Sequence, residues 1–132
     1  MLALLALPVA CAVPHYSPCP LDLEFALPAN AFQRCRSVLV DAFGTLVHSD
    51  PAAFRLQTAW QPIADPPGER RASVYRDPTR DNSLAIIVEL RRLTVPWFGP
   101  PRWTTVQGDA LAERELAERL RAALCDPLPP DR

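Results

Sequence analysis

"LVDAFGTLVHSDP", residues 39–51, is the stretch on which the fold turns. Upstream of Gly44, the residues Phe32, Cys35, Leu39, Ala42 and Phe43 recur at helical spacing, with Val38 beside them. Asn30 stands where an N-cap is wanted, and Gly44 stands where helices stop. The spacing predicts a helix over 30–43, with Asp41 on its solvated side. After Gly44 the period changes to two. TLVHS reads as a short strand closed by Asp50-Pro51.

Working outward, FRLQTAWQPI (54–63) alternates, with Phe54, Leu56, Thr58 and Trp60 on one face and Arg55, Gln57, Ala59 and Gln61 on the other. Trp60 is thereby expected in the core. Asp65-Pro66-Pro67-Gly68 is a turn. RRASVYRD sets Ala72 and Val74 against Ser73 and Tyr75, and a second turn spans 78–82. SLAIIVELRRL places Leu84, Ile86, Val88 and Leu90 on one face, with Glu89 and Arg91 opposite. PRWTTVQ offers a last short strand. Asp109 then caps a second helix whose apolar stripe is Leu111, Leu116, Leu120 and Leu124, with Ala112, Ala117 and Ala123. Glu113, Arg114, Glu115, Glu118, Arg119 and Arg121 fall on its polar side. One polar face per strand suits an antiparallel sheet covered on one side. The expected fold is α+β: an antiparallel sheet of three to five strands with two amphipathic helices packed on one face.

The ends of the chain read differently. Residues 1–13, MLALLALPVACAV, are apolar without a break, too short to span a bilayer and similar to the apolar core of an export signal. Two processing readings stand side by side: cleavage after Ala10-Cys11-Ala12, or a lipobox at Pro8-Val9-Ala10-Cys11 with Cys11 lipidated. Residues 13–28 carry four prolines and no period, which predicts a tether; 126–132 reads as a disordered tail. The folded domain is expected over 29–125. The four cysteines are 11, 19, 35 and 125. With Cys11 modified or removed, at most one disulfide forms. Cys11, His15 and Cys19 lie four apart, but a structural zinc site needs four placed ligands, so no metal is expected.

Composition excludes several classes of chemistry. The net charge of −1 gives no overall attraction to nucleic acid or to an anionic membrane. The basic residues, 14 in number, are all arginine, which removes Schiff-base and phosphate-loop lysine chemistry. Four glycines leave no phosphate cradle. His48, Ser49 and Ser73 come without a nucleophile elbow, so His48 is expected on an edge strand. Trp97 and Phe98, in a proline-flanked loop, and Trp103 nearby form a candidate contact surface.

Two resemblances bear on function. "VLVDAFGTLV" (38–47) resembles the first motif of the haloacid-dehalogenase superfamily, and "VQGDALAE" (106–113) resembles its late acidic motif through Asp109 and Glu113. That resemblance implies a magnesium-assisted phosphohydrolase with Asp41 as nucleophile, Thr45 holding the transferred group, and Asp109 as a further acid. It requires Asp41 at the carboxyl end of a parallel strand. The order of segments over 30–124 is similar to the small helix–sheet–helix domains of exported bacterial lipoproteins, such as those of the C lipoprotein of the outer-membrane barrel assembly machinery. This second resemblance implies a non-catalytic binding or scaffolding module of the envelope. It would be exported to the periplasm, anchored by lipid on Cys11 or free, with an envelope protein as partner and no cofactor.

Overall fold

The change from helix to strand falls at Gly44, where the change of period predicts it. The computed structural model describes residues 17–64 and 66–125. Its elements run β1 (Cys19–Asp22), α1 (Ala31–Phe43), β2 (Leu46–Asp50), β3 (Arg55–Thr58), β4 (Gln61–Ile63), β5 (Gly68–Arg76), β6 (Ser83–Thr94), β7 (Arg102–Trp103), β8 (Gln107–Gly108) and α2 (Ala110–Cys125). At the end of α1 the Gly44 N–H donates to the Val40 carbonyl at 2.9 Å. Gly44 then takes φ 82° and ψ −139°, a backbone region that disfavours any side chain. A Cβ at Gly44 would also run into the Gln61 side-chain amide. At the other end Asn30 occupies the cap position, but its side chain makes no capping hydrogen bond.

The fold is α+β with an antiparallel sheet, as expected. The sheet order is β1–β6–β5–β3–β2, with β4 also on β5 and both β7 and β8 also on β6. The eight strands exceed the three to five predicted because two columns of the sheet are interrupted. β3 and β4 share one side of β5, and β1, β8 and β7 share one side of β6. The supposed tether also needs correction. Its middle supplies β1, which pairs Cys19 with Ile86 and Leu21 with Leu84. Leu21 and Leu23 are buried in the core cluster. A proline at position 20 is tolerated because β1 is an edge strand. The domain therefore begins ahead of residue 29. Residues 1–16, which include Cys11 and the expected export segment, and the expected tail at 126–132 lie outside the described residues.

Bulges set which side chains face which way. Gln57 pairs with Ser73 and Gln61 with Arg70, so four steps along β3–β4 match three along β5. The extra residue reverses the alternation. Phe54, Leu56 and Thr58 are buried as predicted, but Trp60 turns to the opposite face and is only half-buried. Its expected place in the core is thus corrected. The buried Thr58 hydroxyl accepts the Ala72 N–H at 2.9 Å, satisfying a donor at the bulge. A second irregularity between Leu46 and His48 leaves Leu46 packed on the core and Val47 exposed.

Both helices lie on one face of the sheet. α1 packs on β3 and β5, and α2 on β1 and β6. Arg34, early in α1, donates to the Ala123 carbonyl near the end of α2 at 2.9 Å, while Phe43 lies beside Ala112 and Leu116. The helices therefore run antiparallel, and Arg34 satisfies an orphan carbonyl of the last turn of α2. The core is the apolar faces combined: Phe32, Cys35 and Leu39 of α1, Leu116, Leu120 and Leu124 of α2, and Leu56, Val74, Leu84, Ile86 and Val88 of the sheet. Burial pushes the Cys35 thiol up to about 12, so it behaves as a small apolar residue. Cys19, Cys35 and Cys125 are free thiols.

α2 departs from its predicted stripe at two residues. Leu111 is exposed and Glu113 is buried. The cause is a notch in the sheet edge. Along β6, β1 ends opposite Ile86 and β8 begins opposite Glu89. Between them the start of α2 takes the place of a strand. The Asp109 N–H donates to the Val88 carbonyl at 2.9 Å, and the Val88 N–H donates to Glu113 Oε1 at 3.3 Å. Asp109 also caps the helix, accepting the Ala112 N–H at 3.1 Å.

Candidate functional site

With both helices on one face, the other face of the sheet carries none of them, and its side chains come from the alternate positions of β3, β5 and β6. Glu-x-Arg occurs twice, at 69–71 on β5 and 89–91 on β6. Antiparallel register sets Arg71 opposite Glu89 and Glu69 opposite Arg91, so opposite charges meet twice. Arg71 donates to both carboxylate oxygens of Glu89, at 3.0 and 3.1 Å. Arg91 donates to Glu69 through Nε at 3.1 Å and through Nη2.

Trp60, turned to this face by the bulge, ties the two pairs together. The Arg71 guanidinium lies 4.4 Å from its ring centroid and that of Arg91 4.3 Å. Arg91 also lies 4.4 Å from the Trp103 ring. Such surface ion pairs and cation–π contacts are worth about 0–1 kcal/mol each. Their main effect here is order, since Arg71 is held by two partners and Arg91 by three. Beyond this ladder, Gln57 Nε2 donates to the Ser73 hydroxyl at 3.1 Å. An open depression of about 570 Å³ lies on the same face, lined among others by His48, Arg55, Tyr75, Ile87 and Glu89.

The residues singled out by the sequence are dispersed. Asp41 is exposed on the last turn of α1, Thr45 is exposed in the two-residue link that follows, and Asp109 caps α2. No hydrogen bond or ion pair joins these three among the described residues. The sheet around them is wholly antiparallel, so Asp41 lacks the parallel-strand setting that the hydrolase motif uses. Asp41→Asn is expected to change stability by less than about 0.5 kcal/mol, as for an ordinary surface site; urea denaturation checks this. His48 is exposed on edge strand β2. Trp97 and Phe98 are 97 % and 90 % exposed at the tip of the β6–β7 connection, while Trp103 is 45 % exposed against Arg91. Thus the predicted contact trio divides between the tip and the helix-free face. Among the described residues, no group of three or more His, Cys, Asp and Glu is placed to hold a metal, and no helix is long and apolar enough to cross a membrane.

The sequence reading missed Trp60, Glu69 and Arg71 as surface-forming residues. The two Glu-x-Arg motifs stand in the sequence, but only the antiparallel register of β5 on β6 brings their opposite charges together. No protein-family model, curated protein or solved structure matches the chain.

Proposed function

We propose that the protein is a non-catalytic binding or scaffolding module of the bacterial cell envelope, with the helix-free face of its sheet as the contact surface. The observation that carries this reading is the prior ordering of that face. Arg71, Glu89, Arg91 and Glu69 are already paired, and two guanidinium groups lie against the Trp60 ring. Such a surface loses little side-chain freedom of its own when a partner binds. Tryptophan, tyrosine and arginine are also the residues that dominate interface energies. The partner's chemistry follows from the ladder: a protein surface of mixed charge that can hydrogen-bond the outer edges of the Arg–Glu pairs.

Export, with Cys11 as a lipid anchor, is proposed from the apolar residues 1–13 and the prolines that follow. Metabolic palmitate labelling that is lost in Cys11→Ser is the expected result. The contact surface is tested with a photo-crosslinking residue at Tyr75, on the helix-free face, and separately at Glu118, on the exposed side of α2. A specific adduct in the producing cell is expected from position 75 and not from 118. Equal adducts from both, or none from position 75, would overturn the assignment. Magnesium-dependent turnover of a generic phosphate ester, abolished by Asp41→Asn, would replace it with the hydrolase reading.

A further inference from the structure

The hairpin tip at 95–101 belongs to neither the core nor the Arg–Glu ladder, and its composition is unusual. Val95, Trp97 and Phe98 are 69 %, 97 % and 90 % exposed. A cluster of large apolar side chains this exposed marks an interaction site. Gly99, at φ 103°, stands in open space: a Cβ there would meet nothing within 4 Å. Pro96, Pro100 and Pro101 limit the tip's flexibility and supply no N–H groups. Fewer backbone donors therefore need a partner when the tip leaves water.

Charge points to the occupant. The overall charge of −1 conceals a local excess: residues 90–104 contain Arg91, Arg92 and Arg102 and no acidic residue. Glu69 neutralises Arg91. Arg92 donates to the Pro66 carbonyl, and neither Arg92 nor Arg102 forms an ion pair among the described residues. Two positive charges thus stand at the base of an apolar, aromatic knob. Tryptophan favours the boundary between headgroups and acyl chains, and arginine favours anionic headgroups.

We infer that the 95–101 tip docks into the headgroup region of an anionic bilayer, with Trp97 and Phe98 inserted and Arg92 and Arg102 at the lipid phosphates. This gives the domain a second contact point, separate from its helix-free sheet face and independent of lipid on Cys11.

The test uses the full chain with vesicles of equal parts phosphatidylcholine and phosphatidylglycerol, and with vesicles of phosphatidylcholine alone. Residues 1–13 add the same background to every variant, so differences between variants report the tip. Trp97→Ala/Phe98→Ala is expected to weaken partitioning into the mixed vesicles by at least about tenfold, since each ring carries roughly 150–250 Å² of surface. Arg102→Gln is expected to weaken it about fivefold on the mixed vesicles and to leave phosphatidylcholine binding unchanged. Bromine-labelled lipid should quench the wild-type fluorescence, and Trp97→Phe should lose that component while still binding. Far-UV circular dichroism confirms that each variant folds. Equal partitioning of the wild type and the double alanine variant overturns the inference. So does a Trp97 signal that brominated lipid leaves unquenched, an outcome that would assign the tip to a protein partner.

Discussion

Leu39→Ala is expected to destabilise the domain by about 2–5 kcal/mol, the range for a leucine removed from a packed core. Leu39 is fully buried at the centre of α1 and belongs to the cluster joining both helices to the sheet. Against a total stability of roughly 5–15 kcal/mol for a domain of this size, that is a large share. The melting temperature should fall by on the order of 10 °C or more. The natural control is the next residue. Val40 is 43 % exposed, and Val40→Ala should change stability by only about 0.5 kcal/mol. Urea denaturation of both variants measures the contrast directly. Similar losses from the two would mean that the helix buries a different face.

The second large effect belongs to Glu113. Its carboxylate accepts the Val88 N–H in the notch of the sheet edge, so Glu113→Ala is expected to cost about 1–3 kcal/mol by removing the acceptor of a buried donor. Glu113→Gln should behave in the opposite way. Burial raises the Glu113 pKa above its ordinary 4.5, outweighing the Val88 hydrogen bond that lowers it. The folded state therefore holds this proton more tightly than the unfolded chain does. The stability from this group is complete below pH 4.5 and is lost as pH rises through the raised pKa of the folded state. A glutamine keeps the acceptor oxygen and carries no charge at any pH. Glu113→Gln should thus match or exceed the wild type at pH 7 and flatten this part of the pH profile. Thermal melts across that range read both effects. If glutamine destabilises as much as alanine at pH 7, the ionised carboxylate is needed there and its burial carries no net cost.

Much of the architecture was legible where one periodicity held over a whole element. Leu39 and Phe43 on one side of Gly44, and the alternation of Leu84, Ile86 and Val88, report burial directly because helix and strand geometry repeat every 3.6 and 2 residues. Errors came where geometry broke the repeat. The bulge before Gln61 carried Trp60 across the sheet, and one extra residue leaves no mark in composition. Charge alone puts Glu113 on the solvated side, although its position beside Ala112 and Leu116 places it on the buried arc. What drew it inward was a distant requirement, the Val88 N–H between two edge strands. Cys19–Asp22 looked like linker because four residues around a proline give no period. Of the candidate site, Trp97, Phe98 and Trp103 were legible as aromatics among prolines. The ladder was not, because pairing Glu69 with Arg91 requires the register of two strands.

The pairing of β1 with β6 also fixes an order of assembly. Cys19 and Asp22 meet Ile86 and Ser83, so a chain made from its N-terminus carries β1 without a partner until β6 has been synthesised. Closing so long a loop is slow compared with forming α1 or the β5–β6 hairpin, which rest on local contacts. During that interval the edge of β6 that receives β1 is open to pairing with other chains.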